Sequence, residues 1–224
     1  MSADVTRDFA FGLPKAELHL HLEGTLEPDL KLALARKNGV DIGQSTVEEV
    51  QATYRFNDLT SFLAVYYPAM DVLQDEDDFH DLAAAYFARA NGVVRAECFF
   101  DPQAHTSRGI AIEAVIRGYH RAVVEAREAG LSADLILCFL RDMSAQSALE
   151  TLQAALPYKD MFIGVGLDSD ERDNPPTKFA EVFALAREAG LHVTMHCDID
   201  QVGSIDNIRA ALIELGAERL DHGT

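Results

Sequence analysis

Cysteine is scarce in this sequence: Cys98, Cys138 and Cys197 are the only three among 224 residues. An odd number at wide spacing is no disulfide framework. Each lies in or beside an apolar run, so reduced thiols in a reducing compartment are expected. Positive charge is also short, with 19 Lys and Arg against 37 Asp and Glu, a formal charge of −18. That balance argues against binding nucleic-acid backbone or an anionic membrane, both polyanions, but not against a small neutral nucleobase. No run approaches the roughly 18 apolar residues of a membrane-spanning helix. The opening MSADVTRDFAFGLPKAE lacks the cationic start and apolar segment of a signal peptide, so the expected location is the cytoplasm. Internal repeats and low-complexity tracts are missing too. With 48 % apolar and 25 % charged residues, the composition is that of an ordinary globular chain.

What is present is an alternation of short apolar runs and longer helical patterns. Strands are expected at Ala16–His21, Val93–Phe100, Leu135–Leu140, Phe162–Leu167, His192–His196 and Leu220–His222. They read as apolar on both faces, as strands of a covered parallel sheet do. Helical patterns occupy Ile110–Ala129, Ser144–Ala155, Thr177–Ala189 and Ser204–Leu215, with Gly130, Gly190 and Gly216 placed where three of them should stop. Ser204, Asp206 and Asn207 supply cap-type residues to the last. Strand and helix in alternation imply right-handed βαβ units. Residues 26–91 differ: Pro28–Asn38, Thr46–Tyr54, Leu59–Gln74 and Asp77–Ala90 read as helices with no strand between them, and Pro68 should kink the third. This stretch reads as a helical insertion after strand 1, of the kind that covers the ligand end of a sheet. A (β/α)8 TIM-type barrel needs eight strands and about 250 residues. Six are found, so the expected architecture is an α/β single domain over residues 1–224, a barrel of the metal-dependent hydrolase kind cut short after strand 6. An open α/β sheet is the alternative.

The chemistry concentrates in histidine. His19 and His21 stand two apart on the first strand, so both imidazoles point to one face at its C-terminal end. That is sound geometry for a divalent metal, although an HxH pair also occurs as two structural histidines. His196 and His222 fall at the ends of two further strands, and three strands delivering His to one rim strengthen the metal reading. His105, past strand 2, reads as a polar loop residue. His80, His120 and His192 read as structural. Cys197 neighbours His196 and so faces the other side of its strand. The acidic run DVLQDEDDFHD at 71–81 reads as a solvated helix start.

PKAELHLHLEGTLEP, AECFFDPQAHTSRGI, VGLDSDERDNPPTKF and RLDHGT, in that order, resemble the adenosine/adenine deaminases of the amidohydrolase superfamily. The third segment resembles the adenine-deaminase branch. The resemblance implies that His19, His21 and His196 bind one zinc ion per chain, and that His222 orients and deprotonates the zinc-bound water. It implies hydrolytic deamination of an aminopurine by zinc-bound hydroxide attacking C6, adenine giving hypoxanthine and ammonia. The partner would be a small purine, with homo-oligomers left open. Glu23 stands where the adenosine-specific branch has Asp on the ribose side. Its longer side chain favours a free base, the other reading being a solvated loop acid or a charge at a helix start. Asp168 and Ser169 fall in the segment that implies substrate contact, Ser169 at purine N3, although Ser169 also reads as a turn residue.

Two departures from the family pattern stand out. After strand 5 the family reads His-Ala-Gly-Glu, its Glu protonating the ring nitrogen. Here the run is His196-Cys197-Asp198-Ile199-Asp200, leaving Asp198 or Asp200 for that role. Losing a positioned general acid costs on the order of 10²–10⁴-fold. The family's last zinc ligand, an Asp in a Ser-Asp-Asp-Pro run, has no counterpart before Thr224. The alternatives are therefore a related aminohydrolase for an N6-substituted or other aminopurine, and a non-catalytic fragment or paralogue.

Overall fold

A computed structural model describes residues 3–197 and 202–223. Six strands, β1 (Lys15–His21), β2 (Val93–Phe100), β3 (Ser132–Leu140), β4 (Gly164–Asp168), β5 (His192–Cys197) and β6 (Arg219–His222), lie side by side in sequence order. Every neighbouring pair is parallel. Strands added in order and in one hand curl the sheet into six of the β/α units of a TIM-type barrel. The curl brings the edges near each other: Arg219 of β6 donates to the Leu18 carbonyl of β1 at 2.8 Å. β3 and β4 are buried almost throughout, because helices cover them outside and side chains fill the inside. Phe99, Ile136 and Cys138 pack together as a small interior cluster, separate from the larger core that includes Leu135, Leu137 and Phe139.

Helices follow the expected order. After α1 (Ala3–Gly12) and β1 come α2 (Pro28–Asn38), α3 (Val47–Ala52), α4 (Leu59–Ala69) and α5 (Glu76–Arg89), all between β1 and β2. Local chemistry sets their starts. Thr46, Asp58 and Asp75 each cap a helix reciprocally with the residue three positions on. Pro68 sits in the last turn of α4, which ends one residue later and tightens into a 3₁₀ turn at Met70–Val72. Then follow α6 (Pro102–Thr106), α7 (Ile112–Glu128), α8 (Ala145–Ala155), α9 (Ala180–Glu188) and α10 (Ser204–Arg209). Gly130, Gly190 and Gly216 all have positive φ where helices stop.

Several boundaries differ from the sequence reading. Strand β3 begins three residues early, at Ser132. β4 begins at Gly164 because a 3₁₀ turn at Leu156–Met161 runs up to Phe162. The pattern at Thr177–Ala189 opens with a 3₁₀ turn at Pro176–Phe179. The last helix is capped by Gly203 in the left-handed region, not by Ser204, and passes into a π turn at Ala210–Glu214. The sequence pattern carries no signal for α1, since its Phe9 and Phe11 are exposed and give no buried face to read. The acidic run is not wholly solvated either: the Asp78 side chain is fully buried, bound by Lys37 and Asn38 of α2. Cys98, Cys138 and Cys197 form no disulfide. Among the described residues no helix is long and apolar enough to cross a membrane.

The insertion is clamped to the barrel where α5 crosses α7 at Gly118. A Cβ there would stand 2.4 Å from the Glu76 carbonyl oxygen and 2.7 Å from the Phe79 Cβ. Gly118→Ala adds about 1 kcal/mol of helix propensity. Overpacking against backbone that cannot step aside costs about 1–3 kcal/mol or more. A 2.4 Å approach to backbone puts the overpacking cost at the top of that range, so a net loss of about 2 kcal/mol is expected in denaturant unfolding, and an unchanged midpoint would show that the crossing is loose.

Candidate metal centre and pocket

The C-terminal end of β1 carries His19 and His21 two residues apart, and β5 brings His196 up beside them. The Nε2 atoms of His19 and His196 are 2.8 Å apart, and those of His21 and His196 3.0 Å. His196 Nδ1 donates to the Leu167 carbonyl at 2.9 Å, which leaves the lone pair of its Nε2 turned to the other two rings. Burial lowers the pKa of all three, His21 to about 4 and His196 well below the ordinary imidazole value, with neighbouring imidazolium charges adding to the shift at His21 and His196. Near pH 7 the rings are therefore neutral, the form that binds metal. Three nitrogen donors turned to one point fit a divalent ion such as zinc.

His222 ends β6, with ring centroids 4.8 Å from His19 and 5.2 Å from His196. Its φ of 72° is unusual for a non-glycine residue. Ser169 shares that feature, with φ of 74°, just past β4. Strain at two residues facing one cavity marks a site whose surroundings over-determine it. Tyr67 of α4 donates to Ser169 Oγ at 2.8 Å and so holds the second of them.

The rings line a cavity of about 370 Å³. Leu59, Phe62, Leu63, Tyr66 and Tyr67 of α4 form its outer wall, so the insertion does cover the ligand end of the sheet. Phe62 and Tyr66 stack at 5.2 Å. The inner wall is acidic. Asp168 Oδ2 lies 3.4 Å from His21 Nδ1, the carboxylate–histidine arrangement that orients a metal ligand. Asp101 lies beside Asp168 and receives the Tyr66 hydroxyl at 3.3 Å. Burial, then the charges of Asp168 and Glu23, push Asp101 well above the usual carboxylate range, and burial raises Asp168 to about 7.

Glu23 is no solvated loop acid. It is 3 % exposed, in a 3₁₀ turn at Leu22–Thr25, and its Oε1 accepts from the Asp101 backbone, His105 Nε2 and the Tyr119 hydroxyl, each at 3.1 Å. The polar-loop reading of His105 is likewise corrected. This residue is fully buried, and Arg108 donates to its Nδ1 at 3.0 Å, so Nε2 carries the proton given to Glu23. Glu23 Oε2, Asp101 Oδ1 and Asp168 Oδ1 are buried without a hydrogen-bond partner. Asp198 and Asp200 lie outside the described residues.

Sequence reasoning missed Asp101, Tyr66, Tyr67 and Tyr119. Asp101 had a usable signal, an acid at the C-terminal end of a barrel strand. The tyrosines had none, because only the docking of α4 and α7 aims them at the site.

The family model for adenosine deaminase matches residues 14–224. An uncharacterised deaminase of Schizosaccharomyces pombe is 52 % identical over 98 % of this chain and 66 % of its own length. An adenine deaminase of Geotalea uraniireducens is 53 % identical over 94 % of this chain and 60 % of its own. The crystal structure of an adenine deaminase from Arthrobacter aurescens superposes with a TM-score of 0.90 at 47 % identity, covering 94 % of this chain and 65 % of that one. A zinc-bound amidohydrolase from Burkholderia ambifaria gives 0.82 at 30 % identity, over 100 % of this chain and 62 % of that one. The chain thus spans 60–66 % of the length of these relatives.

Proposed function

Because this chain belongs to the adenosine deaminase family, we propose that it carries the catalytic half-site of a zinc-dependent aminopurine hydrolase acting on adenine. Adenine and water give hypoxanthine and ammonia. The observation that carries this reading is the meeting of three neutral imidazoles from β1 and β5 at the floor of an aromatic-walled cavity. His19, His21 and His196 would hold the zinc, which supplies Lewis-acid activation of water near neutral pH.

The remaining work falls to the chain's own groups. His222 takes the proton of the attacking water at a ring nitrogen. Burial keeps its pKa below the ordinary value, so the ring is unprotonated and ready to accept. Asp168 holds the His21 ring in orientation through Nδ1. Ser169, fixed by Tyr67, meets the pyrimidine side of the purine. Asp198 or Asp200 gives a proton to the ring nitrogen beside C6, so that the ring can accept electrons as the new C–O bond forms. Glu23 lies behind the inner wall and supports Asp101, which lines the cavity, through the Asp101 backbone N–H. The buried cysteines, joined by no disulfide, suit a reducing compartment such as the cytoplasm.

Ammonia release by the intact gene product tests this. Adenine should be turned over with kcat/KM at least about 10²-fold above adenosine, a floor beneath the roughly 10⁴–10⁵-fold by which a site built to hydrogen-bond one substrate rejects an analogue lacking that group. Equal or faster turnover of adenosine, or none of either, would overturn the reading.

A further inference from the structure

Resting on the aminopurine reading above, we propose that Asp101, together with Asp168, is the acceptor for the imidazole-ring N–H of the free base, and so is a specificity-determining residue. Asp101 is 1 % exposed and Asp168 3 %, yet both line the cavity. One oxygen of each accepts no N–H or hydroxyl hydrogen bond from a neighbouring side chain or backbone, and the two carboxyls lie close enough to share a proton. A buried acceptor of this kind is costly to leave unmade. A proton held between the two carboxyls does not satisfy them, since the pair then keeps a negative charge and unused lone pairs.

Asp101 is held in place. Its backbone N–H is bound to Glu23 at 3.1 Å, its Oδ2 receives Tyr66 at 3.3 Å, and Pro102 follows it at the start of α6. A further donor can approach the pair from the cavity that both residues line. The cavity is walled by flat aromatic rings on one side, so its natural occupant is a flat heterocycle. A purine base carries an N–H on its five-membered ring. In a nucleoside that nitrogen is bonded to the sugar and has nothing to donate, leaving the carboxylates desolvated and unpaired. The loss of that donor acts separately from the bulk of the ribose. A 9-methyl group removes the donor without adding the bulk of a ribose, so it separates the two effects.

The test compares kcat/KM for adenine and 9-methyladenine, using the zinc-loaded intact gene product and its D101N variant. Wild type should prefer adenine by at least about 10²-fold. D101N should lower the value for adenine by about 10–100-fold and that for 9-methyladenine by less than threefold, collapsing the preference. A purely structural role for Asp101 would lower both substrates alike; that result overturns the proposal while adenine turnover by wild type keeps the function standing. Wild type treating the two bases equally also overturns it, and needs no variant to fold. Failure to deaminate any purine would overturn both readings together.

Discussion

His196→Ala is expected to empty the metal centre and abolish turnover. His196 is the ring that both others meet, at 2.8 and 3.0 Å. Its orientation is fixed on two sides, by Nδ1 on the Leu167 carbonyl and by Arg141 on its own carbonyl at 2.8 Å. Changing an outer partner of a metal ligand already costs about 10–100-fold in affinity. Removing the ligand itself should exceed that upper figure. His19→Ala and His21→Ala should behave alike, since each leaves two nitrogen donors where three converge. Zinc content by elemental analysis, alongside ammonia release, checks this. His192→Ala serves as control: that ring is exposed at the opposite end of β5 and pairs with Glu218, so zinc should be unaffected. Retained stoichiometric zinc and activity in His196→Ala would remove the metal centre from the site.

Glu23→Ala is expected to be the most destabilising single change among the buried groups that support the pocket. One carboxylate oxygen collects three donors from two elements: the backbone at the start of α6, His105 within it, and Tyr119 of α7. The side chain is completely buried, as is that of His105. Alanine leaves a backbone N–H, an imidazole N–H and a phenol without partners in a space closed to water. Breaking one side of such a buried network costs about 3–5 kcal/mol. At about 2–4 °C per kcal/mol for a chain of this size, the melting temperature should fall by roughly 6–20 °C. Glu23→Gln keeps the shape and most of the acceptor capacity, so it should fall by less than half as much. A loss under about 1 kcal/mol for Glu23→Ala would mean that water enters and replaces the carboxylate.

Much of the architecture is local and was therefore legible. The six strands, their order and the helices between them follow from apolar runs of strand length alternating with helical periodicity. Gly130, Gly190 and Gly216 stop helices because left-handed backbone is cheap only for glycine. The pairing of His19 with His21 also needed no fold, since the pleat of a strand turns residues i and i+2 the same way. Less secure were the boundaries at Ser132, Gly164 and Gly203, where turns and caps compete with the pattern.

Long-range contact decided the rest. Sequence left His105 as a loop residue and Glu23 with a solvated alternative, because nothing within a few positions shows that the two meet across 82 positions, or that Tyr119 joins Glu23 from 96 away. Tyr67 reaches Ser169 across 102 positions only because α4 folds back over the barrel mouth. His19 and His196 meet across 177 positions for the same reason: closing the sheet brings β5 opposite β1. Periodicity reports which face of an element is apolar. Which other element covers that face depends on curl, crossing angle and shape, and these exist only once the chain has closed on itself.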